Sequence, residues 1–169
     1  MAALTRAPTL PYHGCMNPPD SASNDPLRLN RLLKGAGLRS YRLDPKTRMV
    51  NFVCRTREWA LAIRLTPDWL NVSTLVCELP KEPGVRARLL EWVMQANRSC
   101  SLVKFGISGT CLNLELDYRA EHVDETVLAN LVSLVYTVAE QQYPRIFRIV
   151  NGDDVLESLG RSLETGAAS

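Results

Sequence analysis

The sequence predicts an α+β domain in which helices flank an antiparallel sheet. Residues 85–142 carry most of this prediction, because they read helix, hairpin, helix. Apolar residues recur at helical spacing in VRARLLEWVMQAN and in DETVLANLVSLVYTVAEQQ, whereas TCLNLELDY between them alternates apolar and polar residues, as a half-buried strand does. With 169 residues, 46% of them hydrophobic, the chain is long enough for one domain with a substantial core.

The first helix is predicted to begin at Asp25-Pro26, with Asp25 as the N-cap, and to end at Gly35-Ala36-Gly37. The glycine pair could also suggest a phosphate-binding loop. It follows a helix and precedes a strand, the reverse of the order in nucleotide-binding motifs, so a helix C-cap is the preferred interpretation. Residues 1–24 hold four of the ten prolines and are predicted to form a disordered tail. They lack the pattern of a signal peptide, and whether they are a targeting segment stays open.

Four strands are predicted between the first and second helices, over residues 38–43, 49–55, 58–65 and 70–79. Asp44-Pro45 and Pro67-Asp68 supply turn chemistry between them. In the third of these strands, Trp59 shares one face with alternate apolar residues, whereas Arg64 belongs to the opposite face.

The hairpin that follows the second helix is predicted to turn at Ser108-Gly109. The third helix is predicted to begin after Asp124, its N-cap, and to be interrupted at Pro144. A short last helix is expected from Asp153, within a C-terminal segment, residues 151–169, whose end frays.

The third helix carries more apolar residues than one packing face needs. A stripe this wide indicates either deep burial within the chain or a second apolar contact, and the contact we expect is a homodimer. The residues predicted for the dimer interface are Leu128, Leu131, Val132 and Val135.

Charge is distributed unevenly along the chain, although the net charge is only +2. Residues 26–66 contain ten Lys and Arg against two acids, whereas residues 67–169 contain nine against fourteen. A basic half of this kind can serve nucleic acid or an acidic protein partner.

No residue pattern indicates catalysis, a metal or a cofactor. The five cysteines are an odd number without C-x-x-C spacing, which fits free thiols in a reducing compartment and predicts a cytoplasmic protein. The two histidines, His13 and His122, have no ligand at metal spacing, and no serine lies in a G-x-S-x-G turn. Glu115 and Asp117 could form an acid–base pair, but the solvated face of a strand is the preferred interpretation. No transmembrane helix is expected, because no apolar run is long enough.

Two tryptophans and three arginines are the candidates for contact with a partner. Trp69 follows a Pro-Asp turn and is the best candidate for an exposed anchor. Trp59 is a weaker candidate, because its strand neighbours favour a place in the core. Arg55 and Arg57 are predicted to share a strand face, with Arg64 near them. Use of these arginines for nucleic acid is less favoured, since no stacking aromatics interleave them.

Several features of residues 27–145 occur together. They are Asn97 at the end of the second helix, Lys104-Phe105 and Gly109 in the hairpin, Leu112-x-Leu114-x-Leu116 in its second strand, and Tyr143-Pro144 closing the third helix. With the element order, these features resemble the YbjN-like family, which shares its fold with the class I type III secretion chaperones. The resemblance implies the order α-β-β-β-α-β-β-α over a domain of residues 25–150.

The resemblance also implies a non-enzymatic, bacterial protein that binds a protein client as a chaperone-like module or a regulatory adaptor. Proteins of this fold can accept an extended client segment on an edge strand or in an apolar groove. The alternative is a nucleic-acid-associated factor that uses the basic surface of residues 26–66. The basic first half departs from the acidic character of the secretion chaperones.

Overall fold

The computed structural model of the protein describes residues 26–42, 46–53 and 57–152. The predicted N-terminal tail and the predicted helix after Asp153 lie outside these ranges. So do the Asp44-Pro45 turn and Arg55.

Three α-helices, six β-strands and one turn of 3-10 helix make up the described residues. The helices are α1 (Pro26–Gly35), α2 (Pro83–Ser99) and α3 (Glu125–Asn151). The strands are β1 (Tyr41–Arg42), β2 (Thr47–Val53), β3 (Glu58–Leu65), β4 (Trp69–Glu78), β5 (Lys104–Ser108) and β6 (Cys111–Arg119). The 3-10 turn is Ala120–His122 and leads from β6 into α3.

All strand pairs are antiparallel, and the strands lie in the order β1-β2-β3-β4-β6-β5. The hairpin of β5 and β6 therefore joins the sheet through β6, which leaves β5 at one edge and the short β1 beside β2 at the other. Apart from the two-residue β1, the chain order is α-β-β-β-α-β-β-α. The predicted α+β class and element order are confirmed.

The helices pack on one face of the sheet, and strand alternation decides which residues meet them. On β6, Leu112, Leu114 and Leu116 are buried, whereas Asn113 and Glu115 between them are partly exposed. α2 and α3 add their apolar stripes to the same core, and α1 adds three leucines. The opposite face of the sheet is polar and open among the described residues.

Gly37 ends α1 in the manner that the sequence predicts. Its φ of +70° lies in the left-handed region, where glycine has no steric penalty. The Leu38 N–H donates to the Leu33 carbonyl at 2.9 Å, and the Gly37 N–H donates to the Lys34 carbonyl at 3.1 Å. These two bonds form a Schellman motif, so the helix C-cap interpretation is confirmed and the phosphate loop is wrong.

The hairpin turn lies one residue later than predicted. Ser108 and Cys111 are paired, so the two-residue loop between them is Gly109-Thr110. Gly109 takes a φ of +60° at the first position of this loop, where glycine suits a tight hairpin.

α3 begins as predicted but does not stop at Pro144. The Asp124 carboxylate accepts a hydrogen bond from the Val127 N–H at 2.7 Å, which confirms it as the N-cap. The predicted interruption is wrong, because the helix continues through Pro144 to Asn151. Proline removes one backbone donor from the helix. Ile146, just beyond it, is 1% exposed, so burial of the last turns against the core holds the helix together.

Candidate partner-binding surface

A depression of about 570 Å³ lies on the open face of the sheet, where β3 ends and β4 begins. We call it the Trp69 surface, and it is lined by Arg64, Thr66, Trp69, Asn71 and Asp117. Arg64 of β3 is opposite Asn71 of β4, which is opposite Asp117 of β6. Opposed residues of neighbouring strands point to the same face, so these three form one polar row beside the indole.

The backbone of Trp69 is fixed by its turn. The Thr66 hydroxyl accepts from the Trp69 N–H at 3.0 Å and donates to the Trp69 carbonyl at 3.0 Å, while the Thr66 N–H donates to that carbonyl at 2.8 Å. The Arg119 guanidinium lies 5.2 Å from the centre of the indole ring. Trp69 is nevertheless 46% exposed, so it presents a large apolar surface on a rigid support.

Arg64 is an exposed cation next to this indole. Among the described residues, its guanidinium makes no hydrogen bond or ion pair, whereas Asp117 accepts a hydrogen bond from the Asn71 amide at 3.0 Å. Arg119 has a partner, Glu121, at 3.3 Å, but both side chains are about half exposed, so the pair contributes little stability. The Trp69 surface therefore offers an aromatic face, a cation without a partner and fixed polar groups.

Trp59 does not belong to a partner-binding surface, which corrects one predicted contact. It is 0% exposed, and its Nε1–H donates to the Glu140 carboxylate on α3. Tyr143 meets the indole edge-on, with 5.5 Å between ring centres. The alternation with apolar neighbours had already favoured the core, and packing under α3 is the physical reason.

Arg57 holds the far end of β3 in place. Its guanidinium lies 4.3 Å from the centre of the Trp59 ring and 4.9 Å from that of Tyr143, and it donates to the Val76 carbonyl at 3.0 Å. Arg57 precedes β3 and Arg64 is near its end, roughly 23 Å further along the strand. The expected cluster of arginines is therefore wrong for these two, and Arg55 lies outside the described residues.

The four residues predicted for a dimer interface are buried within the single chain. Leu128, Leu131, Val132 and Val135 all belong to the core. The stripe is wide because α3 lies between α1 and α2 while it also covers β3, β4 and β6. Side chains that one chain already covers cannot supply the surface of an interface, so this part of the prediction is corrected.

A clamp between α2 and the edge strand β5 is not evident from the sequence alone. The Asn97 side chain accepts from the Phe105 N–H at 2.7 Å and donates to the Phe105 carbonyl at 3.0 Å. The Lys104 ammonium donates to the Asn97 carbonyl at 2.7 Å and to the Cys100 carbonyl, at the C-terminus of α2. Asn97 and Lys104-Phe105 thus form one local structure. In it, the Asn97 side-chain amide makes the hydrogen bonds to Phe105 that a neighbouring strand would otherwise make.

The described residues show no arrangement of side chains typical of catalysis. They contain no group of three His, Cys, Asp or Glu residues placed to hold a metal ion. Burial raises the pKa of the Cys77 thiol, although Arg57 opposes the shift, so this thiol is protonated at neutral pH and a poor nucleophile. Within the ranges described, no helix is long and apolar enough to cross a membrane.

No protein-family model and no curated protein matches the sequence. Solved structures do match. The heterodimeric ExoU-SpcU complex of the Pseudomonas aeruginosa type III secretion system contains a chain 15% identical, with a TM-score of 0.51 over 73% of this chain and 98% of that one. The HopA1-SchA chaperone-effector complex contains another, 12% identical, with a TM-score of 0.52 over 75% and 99%.

YbjN from E. coli, described as a putative transcription regulator, is also similar. It is 15% identical and matches with a TM-score of 0.51 over 76% of this chain and 91% of its own. Identities this low show the fold alone. The predicted YbjN-like, type III secretion chaperone-like fold is thereby confirmed.

Proposed function

We propose that this chain, whose fold is that of YbjN and the type III secretion chaperones, is a non-enzymatic module that binds a segment of a partner protein. The observation that carries the proposal is the shared fold, because one of the similar structures is a chaperone-effector complex and another is a heterodimeric complex of a type III secretion system. Its role would be that of a chaperone or a regulatory adaptor. The free cysteines of the described residues support a reducing compartment, the cytoplasm.

The Trp69 surface is the place where we expect the partner to bind. Tryptophan and arginine are the residue types most often found to dominate binding energy, and both are present here. The Trp69 backbone is already fixed by Thr66, so little conformational entropy is lost when the indole is covered. Arg64, which has no partner among the described residues, favours an acidic group on the bound segment.

Strand addition is the second way in which a client segment could bind. At one edge of the sheet, Asn97 occupies the backbone groups of Phe105 on β5. At the other edge, β1 covers only the Arg48-Met49 part of β2, which leaves the rest of β2, up to the exposed Val53, beside no described strand. The β2 edge is therefore the better candidate for main-chain pairing with a client.

We further propose that the chain forms a homodimer, through a different surface from the one first expected. Three large apolar side chains remain exposed on α2, on the loop after it and on β5. They are Met94, Leu102 and Ile107. Contact with a second copy would remove this apolar surface from water.

Contacts within the described residues argue against the nucleic-acid alternative. Three arginines of the basic first half already have partners within the chain: Arg28 donates to the Ala120 carbonyl, Arg48 to the Asn30 side chain, and Arg57 to the Val76 carbonyl. Binding through phosphates would have to weaken steeply with salt, which a titration with oligonucleotides measures.

The test is capture of partners by the full chain, followed by mass spectrometry. Wild type is compared with Trp69→Ala and with the matched control Tyr41→Ala, which removes an exposed aromatic residue on β1. We expect wild type and Tyr41→Ala to capture the same protein and Trp69→Ala to lose it, because truncation of a dominant aromatic contact costs about 2 kcal/mol or more, a factor near 30 in affinity.

Two results would contradict the proposal in different ways. Equal capture by Trp69→Ala would place the binding surface elsewhere while leaving the function intact. Recovery of nucleic acid, with no specific protein, would reject the protein-binding function itself.

A further inference from the structure

The first turn of α1 is linked to the turn that carries Trp69. The Arg28 guanidinium, in the first turn of α1, donates to the Ala120 carbonyl at 2.7 Å. The Ala120 N–H in turn donates to the Asp68 carbonyl at 2.9 Å, and Asp68 immediately precedes Trp69. Two hydrogen bonds therefore connect the start of α1 to the turn that carries the indole.

The sequence ahead of α1 contains a segment whose chemistry matches that surface. Residues 17–20 read Asn-Pro-Pro-Asp, and Pro26 lies six positions after Asp20. Six residues of extended chain span roughly 20 Å. Because Arg28 is joined to Asp68 through Ala120, a chain of this length is comparable to the path from the start of α1 to the turn that carries Trp69.

The two halves of the segment fit the two features of the depression. Consecutive prolines favour the extended polyproline conformation, and their rings pack on exposed aromatic faces, here the 46% exposed indole of Trp69. The Asp20 carboxylate matches Arg64, which is exposed and without a partner among the described residues. The nearer acid, Asp25, is predicted to cap α1 and is not available for this pairing.

We propose that Pro18-Pro19-Asp20 covers the Trp69 surface of its own chain, with the prolines on the indole and Asp20 paired with Arg64. Its own chain is the favoured source, because a tethered segment acts at a millimolar effective concentration that a second copy does not reach at micromolar protein. A partner segment that binds the same surface must displace it. This last consequence rests on the proposed function, whereas the intramolecular contact does not.

Quenching of tryptophan fluorescence by acrylamide in the full chain tests the contact directly. Trp59 and Trp92 are 0% and 7% exposed, so the quencher reports chiefly on Trp69. We expect Pro18→Ala/Pro19→Ala, Asp20→Arg and Arg64→Asp each to raise the quenching constant severalfold, because each uncovers the indole. The double variant Asp20→Arg/Arg64→Asp restores the ion pair with opposite sign and should return the constant to the wild-type value.

The matched control is Arg39→Asp, which reverses an exposed arginine in the loop after α1 and should leave quenching unchanged. Quenching that is the same in wild type and in Asp20→Arg overturns the proposal. Failure of the double variant to restore protection overturns the pairing of Asp20 with Arg64. Protection that grows with protein concentration assigns the covering segment to a second copy and overturns the intramolecular contact.

Partner capture separates this proposal from the proposed function. If the segment covers the surface nine-tenths of the time, Asp20→Arg should bind the captured partner about tenfold more tightly than wild type does. Equal affinity in both would show that the partner does not compete with the segment. Quenching that follows the expected pattern while no variant captures any protein would support the intramolecular contact and reject the proposed function.

Discussion

Leu114 and Leu75 are leucines on neighbouring strands, but they lie on opposite sides of the boundary between core and solvent. Leu114 is 0% exposed at the middle of β6, whereas Leu75 on β4 is 46% exposed. We expect Leu114→Asp to lower the free energy of unfolding by about 4 kcal/mol, because a carboxylate without a partner replaces buried apolar surface. Leu75→Asp should change it by less than about 0.5 kcal/mol.

Urea unfolding of both variants, followed by circular dichroism, measures the difference. A Leu114→Asp protein that unfolds at the wild-type midpoint would place the β5–β6 hairpin outside the core. Equal losses in both variants would show instead that Leu75 is covered.

Glu82 makes stability depend on pH at the start of α2. Its carboxylate accepts from the Gly84 N–H at 2.8 Å and from the Val85 N–H, and these bonds lower the pKa of the carboxyl group, since they are stronger with its charged form. A carboxyl whose pKa is lower in the folded state stabilises the fold above its ordinary pKa of about 4.3, and the effect is lost as pH falls through the lowered value.

Wild type should therefore melt at a higher temperature than Glu82→Gln at neutral pH. This difference in melting temperature should shrink at pH values near 3. Glu91→Gln, on an exposed position of the same helix, serves as the control and should show a smaller pH-dependent difference. If the difference in melting temperature between wild type and Glu82→Gln increases as pH falls, the proposed stabilisation by the charged Glu82 cap is contradicted.

Single residues were predictable where local patterns decide their environment. Alternation with apolar neighbours is enough to bury Trp59, and a Pro-Asp turn is enough to expose Trp69. The lining of the Trp69 surface was not predictable, because Asn71 and Asp117 are 46 residues apart and meet only through the pairing of β4 with β6. A sequence pattern fixes the face of a strand but does not name the neighbouring strand.

At the scale of elements, the clamp on β5 has a measurable role. Asn97→Ala leaves the edge N–H and carbonyl of Phe105 without their side-chain partners. We expect a loss of about 1–2 kcal/mol in unfolding free energy, together with faster hydrogen exchange at the Phe105 amide. Asn71→Ala is the control and should cost a few tenths of a kcal/mol, since within the described ranges the Asn71 amide bonds only the exposed Asp117 side chain.

Exchange at Phe105 distinguishes the clamp from general destabilisation. If Asn97→Ala speeds exchange equally at Phe105 and at the central residues of β4, the protein has lost global stability. If Phe105 exchanges at the wild-type rate, the amide clamp does not protect this edge.

Element types were predictable, whereas some element ends were not. Proline and glycine are local signals, and Gly37 ends α1 as its backbone preference requires. Pro144 gives an equally strong local signal, but the tertiary contacts of Ile146 overrule it, so α3 runs on for seven residues. A helix end inside a core is decided by packing, which the local sequence does not contain.

At the scale of the molecule, the predicted homodimer is testable through its new surface. Sedimentation at micromolar concentration should give twice the 18.9 kDa of one chain. Met94→Asp/Ile107→Asp should give the mass of one chain, because charges on the proposed interface oppose association. Leu75→Asp, on the open face of the sheet, should leave the dimer intact.

A wild-type mass near 18.9 kDa would contradict the dimer, and an intact dimer in the Met94→Asp/Ile107→Asp variant would contradict this interface. The interface first predicted, on α3, was wrong because its apolar residues are covered by elements of the same chain. A wide apolar stripe on α3 indicates that several helices or strands pack against it. The sequence does not show whether those elements belong to the same chain or to a second copy.

The contact between Arg28 and Ala120 also sets an order of events during synthesis. The two residues are 92 positions apart, and α3, on which α1 packs, follows Ala120. At translation rates of roughly 5–20 residues per second, the apolar side of α1 waits roughly 5 to 20 s for its partners. During that interval Leu29, Leu32 and Leu33 lack the cover that α3 supplies, so we expect the nascent chain to expose apolar surface of the kind that general chaperones bind.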